Sequence, residues 1–586
     1  MPEIFGEPLD SAIPDDLTLS QFFLDSYHPR RPVRTDAPWL IEDETGRHIG
    51  FEEIRARTFG FANGLVLRYG ISTCCCTFLS SDCPDSTPAE EEEVVLIFSP
   101  NHVDYPPAIW GTHRLGAIVS GANPTYTEEE LLHQILLVKA TLIIAHPSSL
   151  HTALGAARAA RIPSDRVITF GESTQPTVES IIQLGLRNEP AFVERRLKKG
   201  EGKTKVAFLN FSSGTTGKPK AVAIAHYAPI VNVIQIAQYT KVNENYAPWE
   251  EQRFRPNDIV AGALPFFHIY GLVFYIYATP FFGMSLVVIQ KFGFTDFLKS
   301  IERHRITHLP LVPPQIVLLC KHPAVKNYDL SVIRFLISGA APLSAELVNQ
   351  LMKVIPNAQI GQGYGLTETS TSVTMYSVDQ KIGVPGSAGQ LLPGVVARVV
   401  KPDGSLAGFN EPGELRVKTP SLALGYWNDE QATKETFVEG WLRTGDEVII
   451  REDKEVFIVD RLKEIMKVRG FQVAPAELEG CILDHRDVAD TCVVPIPDDY
   501  SGEVPLAFVV LRASAADRVG NDSREADKIK ASIMKHVADN KVAYKHLAGG
   551  VEFIDVIPKN PSGKLLRRVL RDQARQLRAG DLKAKL

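Results

Sequence analysis

Val206-Ala207-Phe208-Leu209-Asn210-Phe211-Ser212-Ser213-Gly214-Thr215-Thr216-Gly217-Lys218-Pro219-Lys220 runs from an apolar stretch straight into a loop of hydroxyls, glycines and lysines. Residues 206–211 read as a short buried strand. The loop after it has the chemistry of a phosphate cradle. Glycine lets backbone N–H groups approach an anion, hydroxyls donate to its oxygens, and lysine supplies charge. It is not a Walker A loop: only Thr215 and Thr216 separate the glycines, and Pro219 stands where a magnesium-binding hydroxyl would be. Taken by itself, such a run is also what a solvated Gly/Thr turn looks like.

The same short apolar pattern recurs at residues 94–99, 142–145 and 167–170. Helical stretches lie between these runs. One of them opens with Thr127-x-x-Glu130 ahead of Leu131, Leu132, Ile135 and Leu136, a capping box on an amphipathic helix. Strands alternating with helices predict α/β layers around a mostly parallel sheet. Near residue 395 the pattern changes to short alternating runs and tight turns such as Pro402-Asp403-Gly404, predicting a small antiparallel β unit. A separate α+β unit begins near Asp460 and ends in an Arg-rich tail. Residues 73–93, rich in Cys, Ser, Asp and Pro and ending in Glu90 to Glu93, read as a solvated loop insertion.

With 586 residues the chain needs several domains, and 44% hydrophobic with 23% charged residues is a globular composition. A net charge of -6 offers no polycation, so no nucleic-acid partner is expected. The seven cysteines include no C-x-x-C pair, and the adjacent Cys74, Cys75 and Cys76 suit neither zinc nor a disulfide framework. Residues 269–290 carry no charge and are long enough to cross a bilayer. Pro280 and Gly283 divide them, however, predicting a buried helix followed by a buried strand rather than a membrane span. The first residues lack the features of a signal peptide. The last three, Ala584-Lys585-Leu586, are similar to a peroxisomal address, so a peroxisome is the expected location, through an import receptor, with the cytoplasm otherwise.

Six more motifs follow in order. They are Leu264-Pro265-Phe266-Phe267-His268-Ile269-Tyr270-Gly271, Ser338-Gly339-Ala340-Ala341-Pro342-Leu343 and Gly361-Gln362-Gly363-Tyr364-Gly365-Leu366-Thr367-Glu368, then Trp441-Leu442-Arg443-Thr444-Gly445-Asp446, Asp460-Arg461-Leu462-Lys463-Glu464 and Pro561-Ser562-Gly563-Lys564. With the 212–220 loop, the set resembles the signatures of the adenylate-forming superfamily: acyl-CoA synthetases, 4-coumarate–CoA ligases, beetle luciferases and peptide-synthetase adenylation domains. The resemblance covers residues 95–568 and looks closest to the 4-coumarate–CoA ligases. Ala221, in place of the usual glycine, and the 73–93 insertion depart from the pattern.

The resemblance implies an α/β fold. Residues 1–460 would form a large domain of layered α/β subdomains with a small β subdomain, residues 461–572 a small mobile α+β domain, and residues 573–586 a tail with a targeting signal. It implies a ligase that joins an aryl or fatty carboxylic acid to ATP as acyl-AMP, releasing pyrophosphate, and then passes the acyl group to coenzyme A. Lys564 would bridge the substrate carboxylate and the α-phosphate, with His268 as a gate and Lys467 acting in the second step. ATP and AMP would be held by Ser212, Ser213, Gly214, Thr215, Thr216, Gly217, Lys220, Gln362, Gly363, Tyr364, Thr367, Asp446 and Arg461. His268, Tyr270, Ala340, Gln362 and Gly363 would line the acyl pocket. Lys291, Arg469, Gly470 and Gln472 would meet CoA, Lys463 would be the hinge, and Glu368 would hold Mg²⁺, a hard cation that favours oxygen ligands.

The chemistry asks for such groups, because a carboxylate attacking a phosphate brings two anions together and the transition state needs fixed positive charge. Two other activities share the first step: transfer to a carrier protein and luciferase-like oxidation. A non-catalytic adenylate-binding protein is the remaining alternative. Intact Lys564, Glu368 and Asp446 argue against it, because folding alone needs none of them.

Overall fold

The computed structural model describes residues 3–33, 37–71, 93–212, 219–469, 471–498, 500–520, 522–560 and 563–584. The 73–93 insertion, apart from Glu93, and the last two residues of the C-terminal tripeptide, Lys585 and Leu586, lie outside them.

Two large sheets make the body of the molecule. In the first, the strand Val206–Ser212 lies between Lys220–Ala225 and Ile118–Ala122, and the order continues through Val94–Phe98, Leu142–Ala145 and Val167–Thr169. Every pair from Ile118–Ala122 outward is parallel, as the alternation of apolar runs with helices predicts. Between them the helix Glu128–Val138 starts on the predicted capping box. The Thr127 hydroxyl accepts from the Glu130 N–H, and the Glu130 carboxylate accepts from the Thr127 N–H.

The second sheet orders Thr371–Met375, Gln359–Leu366, Phe335–Ser338, His308–Leu311, Ile259–Gly262 and Ser285–Val288 side by side. The uncharged 269–290 stretch becomes a widened helix over Gly271–Ala278, one further turn over Thr279–Phe281, a bend at Gly283 and the strand Ser285–Val288. Residues 271–289 of it are buried throughout, and among the described residues no helix is long and apolar enough to cross a membrane.

The antiparallel unit joins Val396–Val400, Gly413–Lys418, Trp441–Ile450 and Val456–Arg461. Its turn at Gly404 has φ 85°, and Asp403 accepts from the Ser405 N–H there. Beyond Arg461 a five-stranded sheet, including Met466–Val468, Val488–Asp498 and Gly502–Leu511, carries the helices Pro475–Leu483, Ser523–Asn540 and Arg567–Ala584. The whole is an α/β fold with a large N-terminal domain and a small α+β domain after it.

Candidate active site

A cavity of about 540 Å³ opens between the large domain and the C-terminal unit. A second, of about 60 Å³, runs inward from it, and the two share Ala340, Gly363, Tyr364 and Gly365. The C-terminal half of the strand Gln359–Leu366 thus borders both spaces. It approaches the strand Thr371–Met375 so closely that a Cβ on Gly365 would meet the Thr371 carbonyl oxygen at 1.6 Å, so only glycine fits there. Gln362 fixes the neighbouring loop: its Oε1 accepts from the Leu343 N–H at 2.7 Å and its Nε2 donates to the Leu343 carbonyl at 3.2 Å. That loop holds Ala340 at φ 67°, a left-handed conformation unusual for alanine.

Asp446 is 4% exposed and faces the larger cavity. The Tyr364 hydroxyl donates to its Oδ2 at 2.6 Å, and Arg461 Nε lies 3.5 Å from its Oδ1. Asp446 and Arg461 meet because they are partners in the antiparallel pairing of the strands Trp441–Ile450 and Val456–Arg461. Burial raises the Asp446 carboxyl, opposed by Arg461 and by the tyrosine hydroxyl.

Lys564 comes to the same cavity from the C-terminal unit. Its backbone is held by Asn560, whose Oδ1 accepts from the Lys564 N–H at 2.8 Å and whose N–H donates to the Lys564 carbonyl at 2.9 Å. Burial lowers Lys564 to about 8; Arg461 pushes the same way, while Glu464 and Asp446 resist. His268, on the wall of the inner cavity, is lowered to about 4 by burial and by the charge of Lys564. A cation from one domain therefore stands within electrostatic reach of His268, Asp446 and Arg461 on the other side of the cleft.

The inner cavity is mostly apolar, with Ile236, Phe274, Ile337 and Met375 around Tyr270. Gly339 makes room for the Tyr270 ring, which a Cβ would meet at 2.9 Å. Glu368 is 8% exposed on the turn Thr367–Thr369, which packs against the strands Val206–Ser212 and Lys220–Ala225 where the phosphate loop begins and ends. The Tyr426 hydroxyl donates to Glu368 Oε1 at 2.9 Å. Lys220 lies 5.0 Å over the Tyr426 ring and 3.4 Å from Asp429. Thr367 is 9% exposed beside Glu368.

Of the residues expected to meet CoA, the described ones, Lys291, Arg469 and Gln472, line neither cavity. Lys467, Arg469 and Gln472 are exposed on the hairpin of Met466–Val468 and Phe471–Val473, where Arg469 leans on Tyr500 and Ser501. Lys291 is exposed after the strand Ser285–Val288, and Lys463 is exposed in the single turn that joins Arg461 to Met466. Ser212 ends its strand, while Ser213, Gly214, Thr215, Thr216, Gly217 and Gly470 lie outside the described residues.

Three contributors escaped the sequence reading. Tyr426 sits on a two-residue strand that pairs with Val222 and Ala223. Asn101 fixes the His268 segment: its Nδ2 donates to the carbonyls of Gly262, Leu264 and Ile289, and its Oδ1 accepts from the Phe266 N–H. Arg567 pairs with Glu479 at 2.7 Å and with Glu464, firming the segment that carries Lys564. Of the three, only Arg567, three residues after Lys564, stands beside a recognised motif.

A family model described as AMP-binding enzyme matches residues 88–427, and one described as AMP-binding enzyme C-terminal domain matches residues 477–564. 4-Coumarate–CoA ligase 5 of Oryza sativa subsp. japonica is 35% identical over 96% of this chain and 95% of its own length. 4-Coumarate–CoA ligase 3 of Arabidopsis thaliana is 35% identical over 100% of this chain and 94% of its own. Among solved structures, ATP-bound MatB from Rhodopseudomonas palustris superposes with a TM-score of 0.77 at 26% identity, covering 95% of this chain and 99% of that one. The chain belongs to the AMP-binding, adenylate-forming enzymes.

Proposed function

We propose that the chain is an ATP-dependent acid–CoA ligase acting on an aryl or fatty carboxylic acid. The observation that carries this reading is the meeting of Lys564 with Asp446, Arg461 and His268 at one cleft between two domains. In the first step the acid's carboxylate oxygen attacks the α-phosphorus of ATP. A P–O bond forms, the bond to the bridging oxygen breaks, and pyrophosphate leaves. Lys564 offsets the charge of both reactants as they approach. Asp446 accepts from the ribose hydroxyls with Arg461 beside it, Tyr364 offers a face to adenine, and residues 212–217 with Lys220 and Thr367 hold the phosphates. Gln362 and Gly363 border both the nucleotide and the acid, and His268 gates the inner cavity lined by Tyr270 and Ala340.

In the second step the CoA sulfur attacks the acyl carbon, AMP leaves, and the thiol proton is released. We assign Lys467, Arg469, Gly470, Gln472 and Lys291 to this step. Of these, the residues of the 467–472 hairpin reach the cleft only if residues 461–572 turn against residues 1–460 about Lys463, while Lys291 awaits CoA on the large domain. Glu368 fits Mg²⁺: a single buried carboxylate near the phosphate loop leaves the remaining positions to phosphate and water oxygens. When bound, the ion supplies charge neutralisation at the phosphates. The names of the plant relatives and the small apolar inner cavity support an arylalkenoic acid such as 4-coumarate. The C-terminal Ala584-Lys585-Leu586 supports import into a peroxisome.

The test is mass detection of acyl-CoA from purified protein, ATP, Mg²⁺ and CoA with coumarate, phenylacetate, benzoate, hexanoate and palmitate, beside Lys564→Ala. A thioester lost in the variant is the expected result. AMP and pyrophosphate without thioester would replace CoA by another acceptor, and no turnover of any acid would overturn the reading.

A further inference from the structure

The helix Pro475–Leu483 of the C-terminal unit is held at both ends by groups that lie before it in the chain. At its start the Asp460 carboxylate accepts from the Ala476 N–H at 3.1 Å. At its end Lys321, the last residue of the helix Pro313–Lys321 in the large domain, donates from Nζ to the Leu483 carbonyl at 2.5 Å and stands 3.5 Å from the Val488 carbonyl. Each charge matches the pole it meets, since a helix presents unpaired N–H groups at its start and unpaired carbonyls at its end. The two contacts together fix the helix axis, and with it the unit that bears Lys564.

Their positions differ in one respect. Asp460 belongs to the hinge motif, and the polar links between Arg461 and Asp446 and between Gln472 and Glu447 lie beside it. Lys321 belongs to a different part of the large domain, more than a hundred residues earlier in the sequence, and its grip on the far end of the helix must break when the unit turns. Elsewhere along this boundary the two parts approach closely at Gly480 and at Gly563. A Cβ on Gly480 would lie 3.2 Å from that of Ser344, and one on Gly563 would lie 2.9 Å from Val312. Packing of that kind is weakly directional, whereas an ammonium on two carbonyls is not. Asp484, Asp490, Cys320 and Arg512 also face Lys321, and Arg512 shares the Val488 carbonyl at 3.1 Å.

We propose that Lys321 is a positioning residue for acyl-adenylate formation: it latches the C-terminal unit in the orientation that brings Lys564 to Asp446 and Arg461, and lets go for the thiol step. The proposal rests on the ligase reading above. It separates the half-reactions, because a latch on one orientation matters only to the step run in that orientation.

Lys321→Met and Lys321→Gln are compared with the unaltered protein in acid-dependent ATP–pyrophosphate exchange, using 4-coumarate, and in thioester formation from synthetic coumaroyl-adenylate and CoA. Exchange should fall about tenfold while thioester formation stays within about twofold, and Lys321→Arg should recover most of the exchange. Orientation is read separately in a Ser344→Cys, Gly480→Cys pair, whose sulfurs can join only in the present arrangement. Adding Lys321→Met should slow disulfide formation about tenfold, followed by mass mapping after alkylation. Equal loss in both half-reactions, or unchanged cross-linking, would overturn the latch. Should the unaltered protein fail both half-reactions, the ligase reading fails, while the cross-linking rate still decides whether Lys321 sets the orientation.

Discussion

At the Lys564 ammonium, burial and the nearby Arg461 both work against the charge that the proposed first step requires, and together they lower the group to about 8. The protonated form is the useful one, so the rate of adenylation should fall as pH rises through that value. Measured as kcat/KM for ATP, the limb reports the free enzyme near pH 8; in kcat it should move upward, because bound phosphates favour the cation. Lys564→Arg should abolish that limb within the accessible range, and Lys564→Ala should cost about a hundredfold or more in adenylation at neutral pH. Glu368 raises a different question, because its carboxylate is oriented by the Tyr426 hydroxyl. Tyr426→Phe keeps the ring under Lys220 and removes only that hydrogen bond. Calorimetric titration should then show Mg-ATP binding weakened about tenfold, with metal-free ATP little changed. Equal weakening of both would mean that the ring, not the hydroxyl, matters.

Among the elements, those specified by near neighbours were readable in the sequence. The capping box at Thr127 and Glu130 closes over three residues, and the strand before the phosphate loop announces itself by its own apolar run. The division of residues 269–290 at Gly283 was readable for the same reason. Asn101 was not, since its partners lie 161 to 188 positions away and nothing local distinguishes it from a surface asparagine. Tyr426 and Arg567 were hidden likewise, by strand pairing and by ion pairs that only the folded chain brings together. Asn101 is 5% exposed and engages four backbone groups, three on the segment leading into His268 and the fourth at Ile289. Asn101→Leu should therefore strand several buried polar groups and destabilise the large domain by about 3 kcal/mol. Denaturant unfolding should detect the loss, and KM for the acid should rise more than KM for ATP. If KM for ATP rose more, Asn101 would act on the nucleotide side.

Across the whole molecule, the order of motifs announced which residues would converge but not the orientation in which they do. Lys564 and the Lys467 hairpin lie in the same C-terminal unit, yet only Lys564 lines the cleft; local sequence patterns carry no information about rigid-body placement. The same limit hides a property of the core. His113, His226 and His308 are buried within the large domain at 0%, 0% and 1% exposure. Burial lowers His113 to about 3 and His308 to about 4, and it also pushes His226 well below the usual imidazole range, with help from the charge environment of His113 and Lys205. His308 is held on both sides, by the Thr307 hydroxyl at 2.8 Å and the Arg253 carbonyl at 2.9 Å. That pairing makes Nε2 the donor and leaves Nδ1 to accept from the hydroxyl. An unfolded chain protonates these imidazoles near pH 6.5, while the folded chain cannot until far lower. Their contribution to stability is thus complete above pH 6.5 and is lost as pH falls toward 4. The slope is up to about 1.4 kcal/mol per pH unit for each histidine. Apparent Tm at fixed scan rate should hold between pH 8 and 7 and drop steeply from 6.5 to 5. His308→Gln, which can still donate to the Arg253 carbonyl, should lower Tm at pH 7.5 but flatten the acid limb. An acid limb as steep as that of the unaltered protein would mean that His308 is protonated within the fold and that its buried neutral state is not what acid attacks.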